Sequence, residues 1–361
     1  MEISPSELAA LRNLYNNAKD KLSQSHENQD WKKNTNSNIL LVDGYNTFMR
    51  CWSAINSMNA HGDHNGGVVG FFRSVGAAIK QFHPSRCIIA FDGIGGSYKR
   101  RKIFPEYKEK RKNKVRLNRV YEDQVFQSVE EESCIKQLVR LDHYLKLLPI
   151  NVLRLDHVEA DDTIAYCAVD TFKESNVIIM SSDKDFLQLI DSRVKVWSPT
   201  KKVFYGPAEI MRDYGIHPNN FILFRAMDGD KSDCVDGIRG AGIKTVIKCF
   251  PFLTEEKTYS LEDVINHAII NRKKYKIYES VIDGQKILER NIALMQLKDS
   301  LLTTTAQLSV NDLLETSKIP LMNRTAFVKG LVDDSMLSNF PDHQRWLTEC
   351  FGSMDSVTRS E

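Results

Sequence analysis

Carboxylates are the residues best placed to do chemistry in this 361-residue chain. Asp43 closes the run NILLVD, Asp92 closes RCIIAFD and Asp183 follows NVIIMSS, so three acids stand at the ends of three apolar runs. VEADD adds Glu159, Asp161 and Asp162, of which Glu159 and Asp162 are three apart and share a helical face. SSDKD adds Asp185, and MDGDKSDCVDG supplies Asp228, Asp230, Asp233 and Asp236. Carboxylates gathered in one pocket repel one another and cannot all ionise without cations. Their hard oxygens suit Mg²⁺, with Mn²⁺ able to substitute. Two such ions about 4 Å apart stabilise the attacking and leaving oxygens of a phosphodiester displacement. A single Asp before a Gly is more often a turn or a helix cap. Four separate acid clusters, three of them at strand ends, point instead to metal-assisted hydrolysis. No Ser-His-Asp or Cys-His arrangement competes for the role of nucleophile, so water is the expected attacker.

The elements that must position these acids follow from the apolar pattern. NILLVDG from Asn38, RCIIAFDG, NVLRL and NVIIMSS have the continuous apolar character of buried strands, and RVKVW is a further one. Between them, residues 68–82, about 123–148 and about 159–173 have helical spacing. This alternation predicts an α/β fold with a mainly parallel central sheet flanked by helices. In such sheets ligands bind beyond the carboxyl ends of the strands, where Asp43, Asp92 and Asp183 stand. We expect a polar N-terminal arm over 1–37, an α/β core over 38–206 and a helical C-terminal region over 207–361.

The composition, with 42% hydrophobic and 27% charged residues, excludes a disordered or collagen-like chain. No run approaches the roughly 20 apolar residues of a membrane span, and the N-terminus lacks the order of a secretory signal. Seven scattered Cys without a CxxC pair argue for free thiols in a reducing compartment, hence a cytoplasmic location. Net charge is only +2, yet residues 99–119 hold eleven Lys/Arg against Glu106 and Glu109, a net +9 that leaves −7 on the rest. Such a segment on an otherwise acidic protein implies a polyanionic partner. Lys99, Arg101 and Lys102 are candidate contacts to a nucleic-acid backbone.

The ordered series LVDGYN, AFDG, VEADD, SSDKD and GDKSDCVDGIRGAGIKT resembles the flap-endonuclease or 5′-nuclease superfamily, to which the 5′-nuclease domains of bacterial DNA polymerase I and the phage ribonuclease H and 5′-exonuclease types belong. LERNIALMQL at 288–297 is similar to a segment late in many members. The resemblance implies a first metal site from Asp43, Asp92, Glu159 and Asp161, with Asp162 beside it, and a second from Asp183, Asp185, Asp230 and Asp233. It also implies a helical arch at about 94–122 over the active site. There YKRRKIFPEYKEKR would bring Lys108 and Arg111 to the scissile phosphate, with Arg100 binding backbone or steadying developing charge. Pro105 should divide that arch into two segments. The implied activity is Mg²⁺-dependent 5′-3′ exonuclease and flap endonuclease cleavage, with ribonuclease H activity on RNA–DNA hybrids. The implied role is removal of RNA primers and 5′ flaps in replication, in a bacterial or phage-infected cell.

GIRGAGIKT lacks the spacing of a dinucleotide-binding or Walker loop, because Ile243 separates Gly242 from Lys244. Its glycines, Gly237, Gly240 and Gly242, would let backbone N–H groups approach a DNA phosphate, followed by a helix start carrying Lys244 and Thr245. In the resembled superfamily this is a helix–three-turn–helix, here about 228–250, which often holds K⁺. HGDH at 61–64 offers a soft-metal pair but is better explained as a polar turn before a helix. One of Tyr45, Phe48, Phe71 and Phe72 is a candidate for stacking on a base. The expected partners are DNA or RNA–DNA hybrid with 5′ ends or flaps, and a single-strand-binding protein or sliding clamp docked on the arm or the C-terminal helices. A monomer without membrane association is expected. Two rival readings remain: a catalytically silent junction-binding protein, and a PIN-like endoribonuclease.

Overall fold

The computed structural model describes residues 38–109, 127–299, 302–316 and 319–360. The N-terminal arm and residues 110–119 of the basic run, Arg111 among them, lie outside the described residues. Among these, six strands form one sheet in the order β3-β2-β1-β4-β5-β6. β1 (Asn38–Asp43), β2 (Arg86–Asp92), β3 (Asn151–Leu155), β4 (Asn176–Met180) and β5 (Val194–Ser198) are parallel. β6 (Val203–Tyr205) closes one edge antiparallel to β5. Leu41 of the central strand pairs with Ile88 on one side and Ile179 on the other. The chain runs from β1 outward through β2 and β3, then returns to place β4 on the other flank of β1. The resulting switch point opens a crevice between the carboxyl ends of β1 and β4.

Parallel strands need cover on both faces, which is why β1 is apolar throughout and not alternating. Ile39 and Leu41 enter one core, Leu40 and Val42 the other, and all four are nearly inaccessible. On the second face lie α1 (Gly44–Ala54), α2 (Gly66–Phe82) and α4 (Gln127–Leu145), with Phe48, Phe71, Phe72 and Tyr144 buried. α3 (Tyr98–Ile103) ends just before Pro105, whose ring cannot continue a helix. On the first face α5 (Ala160–Tyr166) is prolonged by one π turn, Cys167–Thr171. α1 begins directly after the first strand, where Asp43 accepts the Asn46 N–H at 3.1 Å and caps it.

The helical region from 207 onward is divided between the two cores. α6 (Pro207–Tyr214), α7 (Phe221–Asp228), α8 (Ile243–Cys249), α9 (Leu261–Asn271), α10 (Lys276–Asp283), α11 (Gln285–Met295) and α12 (Thr304–Thr316) contribute to the first. α13 (Arg324–Asp333) and α14 (His343–Ser360) cross to the second, burying Phe327, Leu331 and Phe351 in the core that α2 lines. α11 is the keel of the first face. Its Asn291, wholly buried, donates to the carbonyls of Ala226 and Asp236 at 2.8 and 2.9 Å. That bonding accounts for LERNIALMQL: it ties the acidic turn after α7 to the body of the protein.

Candidate active site

The crevice at the switch point is a cleft of about 410 Å³ lined by Asp43, Asp92, Asp161 and Asp183, with Lys108, Tyr45, Asn46 and Ser232 among its other walls. Its acids are held by backbone and hydroxyl donors. The Ser181 hydroxyl donates to Asp43 at 2.9 Å and accepts the Asp183 N–H at 3.0 Å. Asn46 Oδ1 accepts the Ser182 N–H, and Asp183 accepts the Asp185 N–H. Asp92, at the end of β2, takes the Ala160 N–H at 2.7 Å and so fixes the start of α5. Burial, then the Asp183 and Asp92 charges, push Asp43 up to about 7. Burial and the charges of Asp43 and Asp183 drive Asp161 well above the usual carboxylate range. These groups face one another across one space, as like charges sharing a site must.

The other acids are spoken for. Arg100, 3% exposed, forms a two-pronged ion pair with Asp162 at 2.7 and 2.9 Å and reaches Glu159 at 3.0 Å. Its Nε donates to the Leu294 carbonyl at 2.7 Å, joining α3 to α11. Arg100 is therefore not available to a substrate phosphate, and Asp162 is not a cleft acid: each neutralises the other, as buried charges must. Glu159 is also bound by Lys108 Nζ at 2.9 Å and by the Tyr107 hydroxyl. Burial would raise its carboxyl, but Arg100 and Lys108 hold it below the usual range.

A second clamp was not foreseen. Arg225 donates to Asp185 at 2.6 Å, to Asp230 at 2.9 Å and to the Gly229 carbonyl at 3.0 Å. Of the acids expected in the second metal set, Asp183 alone lines the cleft, while Asp185 and Asp230 lie on this guanidinium. Burial and Asp183 push Asp185 up to about 7 despite Arg225. Asp230 lies below the usual range: its burial is outweighed by the Ser232 hydroxyl and Arg225. Asp233 engages through its backbone, its carbonyl accepting the Lys108 N–H at 3.0 Å. The signal for Arg225 was present, a lone cation inside the apolar run FILFRAM just before an acidic turn.

Lys108 reaches the cleft from a left-handed backbone, φ 59°, a conformation that non-glycine residues rarely adopt and that clusters at functional sites. Of the basic run's other described members, Lys99 and Arg101 are half-buried, and Lys102 is exposed with its ammonium 4.5 Å from the Tyr98 ring. Among the four candidate stacking aromatics, Phe48, Phe71 and Phe72 are fully buried, whereas Tyr45 is 43% exposed on the cleft wall. HGDH is a polar turn: the His64 ring is buried between the Ile55 carbonyl and Gln137.

The glycine turn is of mixed purpose. At Gly237 a Cβ would lie 2.3 Å from the Met227 carbonyl oxygen, so this glycine serves internal packing and not an approaching phosphate. Gly240, at φ 87°, and Gly242 have open space where a Cβ would be. Lys244 is exposed beside them and Thr245 half-buried.

The cleft's donors are carboxylate and hydroxyl oxygens without thiol or imidazole, a set that fits a hard divalent cation. Among the described residues no three carboxylate, His or Cys side chains are drawn together into a finished metal cage.

Residues 38–215 match the N-terminal, resolvase-like domain of 5′-3′ exonucleases. The 5′-3′ exonuclease of Buchnera aphidicola from Schizaphis graminum is 30% identical over 212 residues, 58% of this chain and 68% of its own length. This chain belongs to the 5′-3′ exonuclease family. The Aquifex aeolicus 5′-3′ exonuclease is 29% identical over 63% of this chain and 72% of that one. The 5′-exonuclease of bacteriophage T5, solved with zinc ions bound, shares the fold at a TM-score of 0.60 and 21% identity, over 82% of this chain and 99% of that one. The protein is thus a nuclease of the 5′-3′ exonuclease family, which hydrolyses phosphodiester bonds. No helix among the described residues is long and apolar enough to cross a membrane.

Proposed function

We propose that the protein is a Mg²⁺-dependent, structure-specific 5′-nuclease that removes RNA primers and 5′ flaps during DNA replication, leaving 5′-phosphate ends. The observation that carries this reading is the convergence of Asp43, Asp92, Asp161 and Asp183 on one cleft beside Lys108. These four acids would hold the divalent pair, with Asp185, Asp230 and Asp233 behind them. When bound, the ions supply charge stabilisation at the attacking and leaving oxygens. The chain's own groups do the rest. Burial and mutual repulsion raise the Asp43 and Asp161 carboxyls, so their affinity for a divalent cation would rise with pH. Lys108 places a positive charge at the cleft wall, where charge develops on a scissile phosphate. Tyr45 offers a face on which a terminal base can stack. Gly240, Gly242, Lys244 and Thr245 would seat the duplex backbone, with K⁺ as a companion ion.

The test is cleavage of a 5′-flap duplex and of an RNA-primed duplex with Mg²⁺ or Mn²⁺. We expect cut products with 5′-phosphates from both, and none in chelator. Equal cleavage of single-stranded RNA without a 5′ junction would favour the PIN-like reading, and binding without cleavage the silent one. We assign a single-strand-binding protein or sliding clamp to the C-terminal helices. Because these helices bury Phe327 and Phe351, truncation would unfold the core. Substituting exposed Leu321 and Val332 by Ser, followed by pull-down with each candidate, is the proper test, and unchanged capture would remove the assignment.

A further inference from the structure

The segment that carries Lys108 to the cleft is held from behind by an arginine of α11. Phe104, the residue before Pro105, is half-buried, and the Arg290 guanidinium sits 4.4 Å from the centre of its ring. Arg290 itself does not line the cleft. Its Nη2 donates to Asn291 Oδ1 at 2.9 Å and to the Asp236 carbonyl at 3.3 Å, and its Nε donates to the same Asn291 oxygen at 3.2 Å. Asn291 is in turn anchored on the Ala226 and Asp236 carbonyls. The guanidinium is thus fixed to α11 and the acidic turn, and the Phe104 ring rests against it. Phe104 also packs on a small core of Tyr107, Val235, Leu294 and Met295, to which the Lys108 segment, the acidic turn and α11 all contribute.

From Phe104 to Lys108 there is little slack. Pro105 has a fixed φ, and two turn bonds close the stretch, Tyr107 N–H to the Phe104 carbonyl and Glu109 N–H to the Glu106 carbonyl, both at 3.0 Å. The peptide that leads into Lys108 is pinned on both sides. Its N–H donates to the Asp233 carbonyl at 3.0 Å, and its own carbonyl, that of Tyr107, accepts from Arg101 Nε at 3.3 Å. Lys108 then departs in its left-handed conformation. Where Phe104 rests therefore sets where the Lys108 ammonium emerges.

We propose that Arg290 is a positioning residue for cleavage: through Phe104 it sets the place of Lys108 relative to the cleft acids, without touching the substrate. The proposal rests on the reading that Lys108 acts at the scissile phosphate. Arg100 and Arg225 spend their charge on carboxylates, whereas the partners of Arg290 are an amide oxygen, a carbonyl and an aromatic face. What it supplies is direction, not neutralisation. Arginine suits that task, since its planar fork bonds oxygens at the edge while its face meets a ring.

The experiment is a double-mutant cycle on single-turnover cleavage of a 5′-flap duplex with Mg²⁺, using the full-length protein with Arg290→Met, Lys108→Ala and both. Arg290→Met should slow cleavage by up to about 10²-fold, the scale of a roughly 1 Å misplacement at the reacting atoms. In the Lys108→Ala background the same substitution should cost nothing further, because the group through which it acts is gone. The Kd for the flap duplex in chelator, and its salt dependence, should match the wild type. Phe104→Leu removes the aromatic face and should reproduce the Arg290→Met loss, while Phe104→Tyr should keep the wild-type rate. The same cycle run with Phe104→Leu carries the test if Arg290→Met does not fold. Additive losses in the cycle, or a wild-type rate for Arg290→Met, would overturn the proposal. So would a shallower salt dependence of binding, which would make Arg290 a contact to the DNA backbone. A wild-type rate for Lys108→Ala would defeat the underlying reading instead, and the two failures are distinct.

Discussion

Asp161 and Asp162 are neighbours in the chain and opposites in the structure. Asp161 faces the cleft, where Asp43 and Asp183 push its carboxyl far above the usual range. Asp162 turns inward onto Arg100 and is neutralised there. The same contrast divides the whole acid constellation. One group, Asp43, Asp92, Asp161 and Asp183, lines the cleft away from Arg100 and Arg225, with Arg50 on the same wall. The other, Glu159, Asp162, Asp185 and Asp230, is bound by Arg100 or Arg225, both 3% exposed. The first group retains charge demand that a cation can satisfy, while the second spends its charge on holding α3, α5 and α7 in place. A carboxylate's identity and spacing do not distinguish these uses; the partner it meets does.

The strongest way to break this comparison is Asp183→Asn. It should lower kcat on a 5′-flap substrate by on the order of 10³-fold, while the Kd for the same DNA in chelator stays near that of the wild type. Full activity with Mg²⁺ would remove the cleft from the chemistry. Arg100→Met tests the other group. It strands Asp162 as a buried charge, leaves Glu159 to Lys108 alone, and should cost about 3–5 kcal/mol of stability in urea unfolding. Adding Asp162→Asn should recover part of that loss. A fall in kcat with unchanged stability would mean that Arg100 serves the substrate after all.

Lys108 stands between the groups, lining the cleft while its ammonium rests on Glu159. Lys108→Ala should slow cleavage by about 10²-fold and change Kd far less. An effect on Kd alone would place this lysine in binding and not at the reacting phosphate. The subtlest prediction concerns pH. A carboxyl raised from 3.8 to about 7 favours the native state while it is neutral, so Asp43 contributes stability at low pH that is lost as pH rises through about 7. In chelator, Asp43→Asn should therefore gain Tm relative to the wild type as pH rises from about 4 to about 7, and Mg²⁺ should narrow that gap. A pH-independent difference in calorimetry would show that Asp43 does not carry this repulsion.

Much of the site was legible because strand ends carry it. Asp43, Asp92 and Asp183 follow runs so apolar that only a doubly covered parallel strand accommodates them, and such strands deliver their ends to one crevice. Glu159 and Asp162 do share a face, as their spacing required, but that face meets Arg100 and not a metal. Arg100 itself sat in a run whose charge suggested DNA contact throughout. Gly237 belonged to a motif that suggested phosphate approach, yet the Met227 carbonyl fills the space at its Cα.

Residue order alone determined the alternation of strands and helices, the acids at the strand ends, the basic stretch after β2 and the glycine turn, since these are local patterns of apolarity, charge and backbone freedom. Tertiary structure alone decided which acids remain open to a cation, because Arg100 and Asp162 are 62 residues apart and Arg225 and Asp185 are 40 apart. It also decided that α13 and α14 cross the sheet to cover α2. A side chain's direction relative to a distant partner depends on how whole elements pack, and no period within a short stretch of chain encodes that.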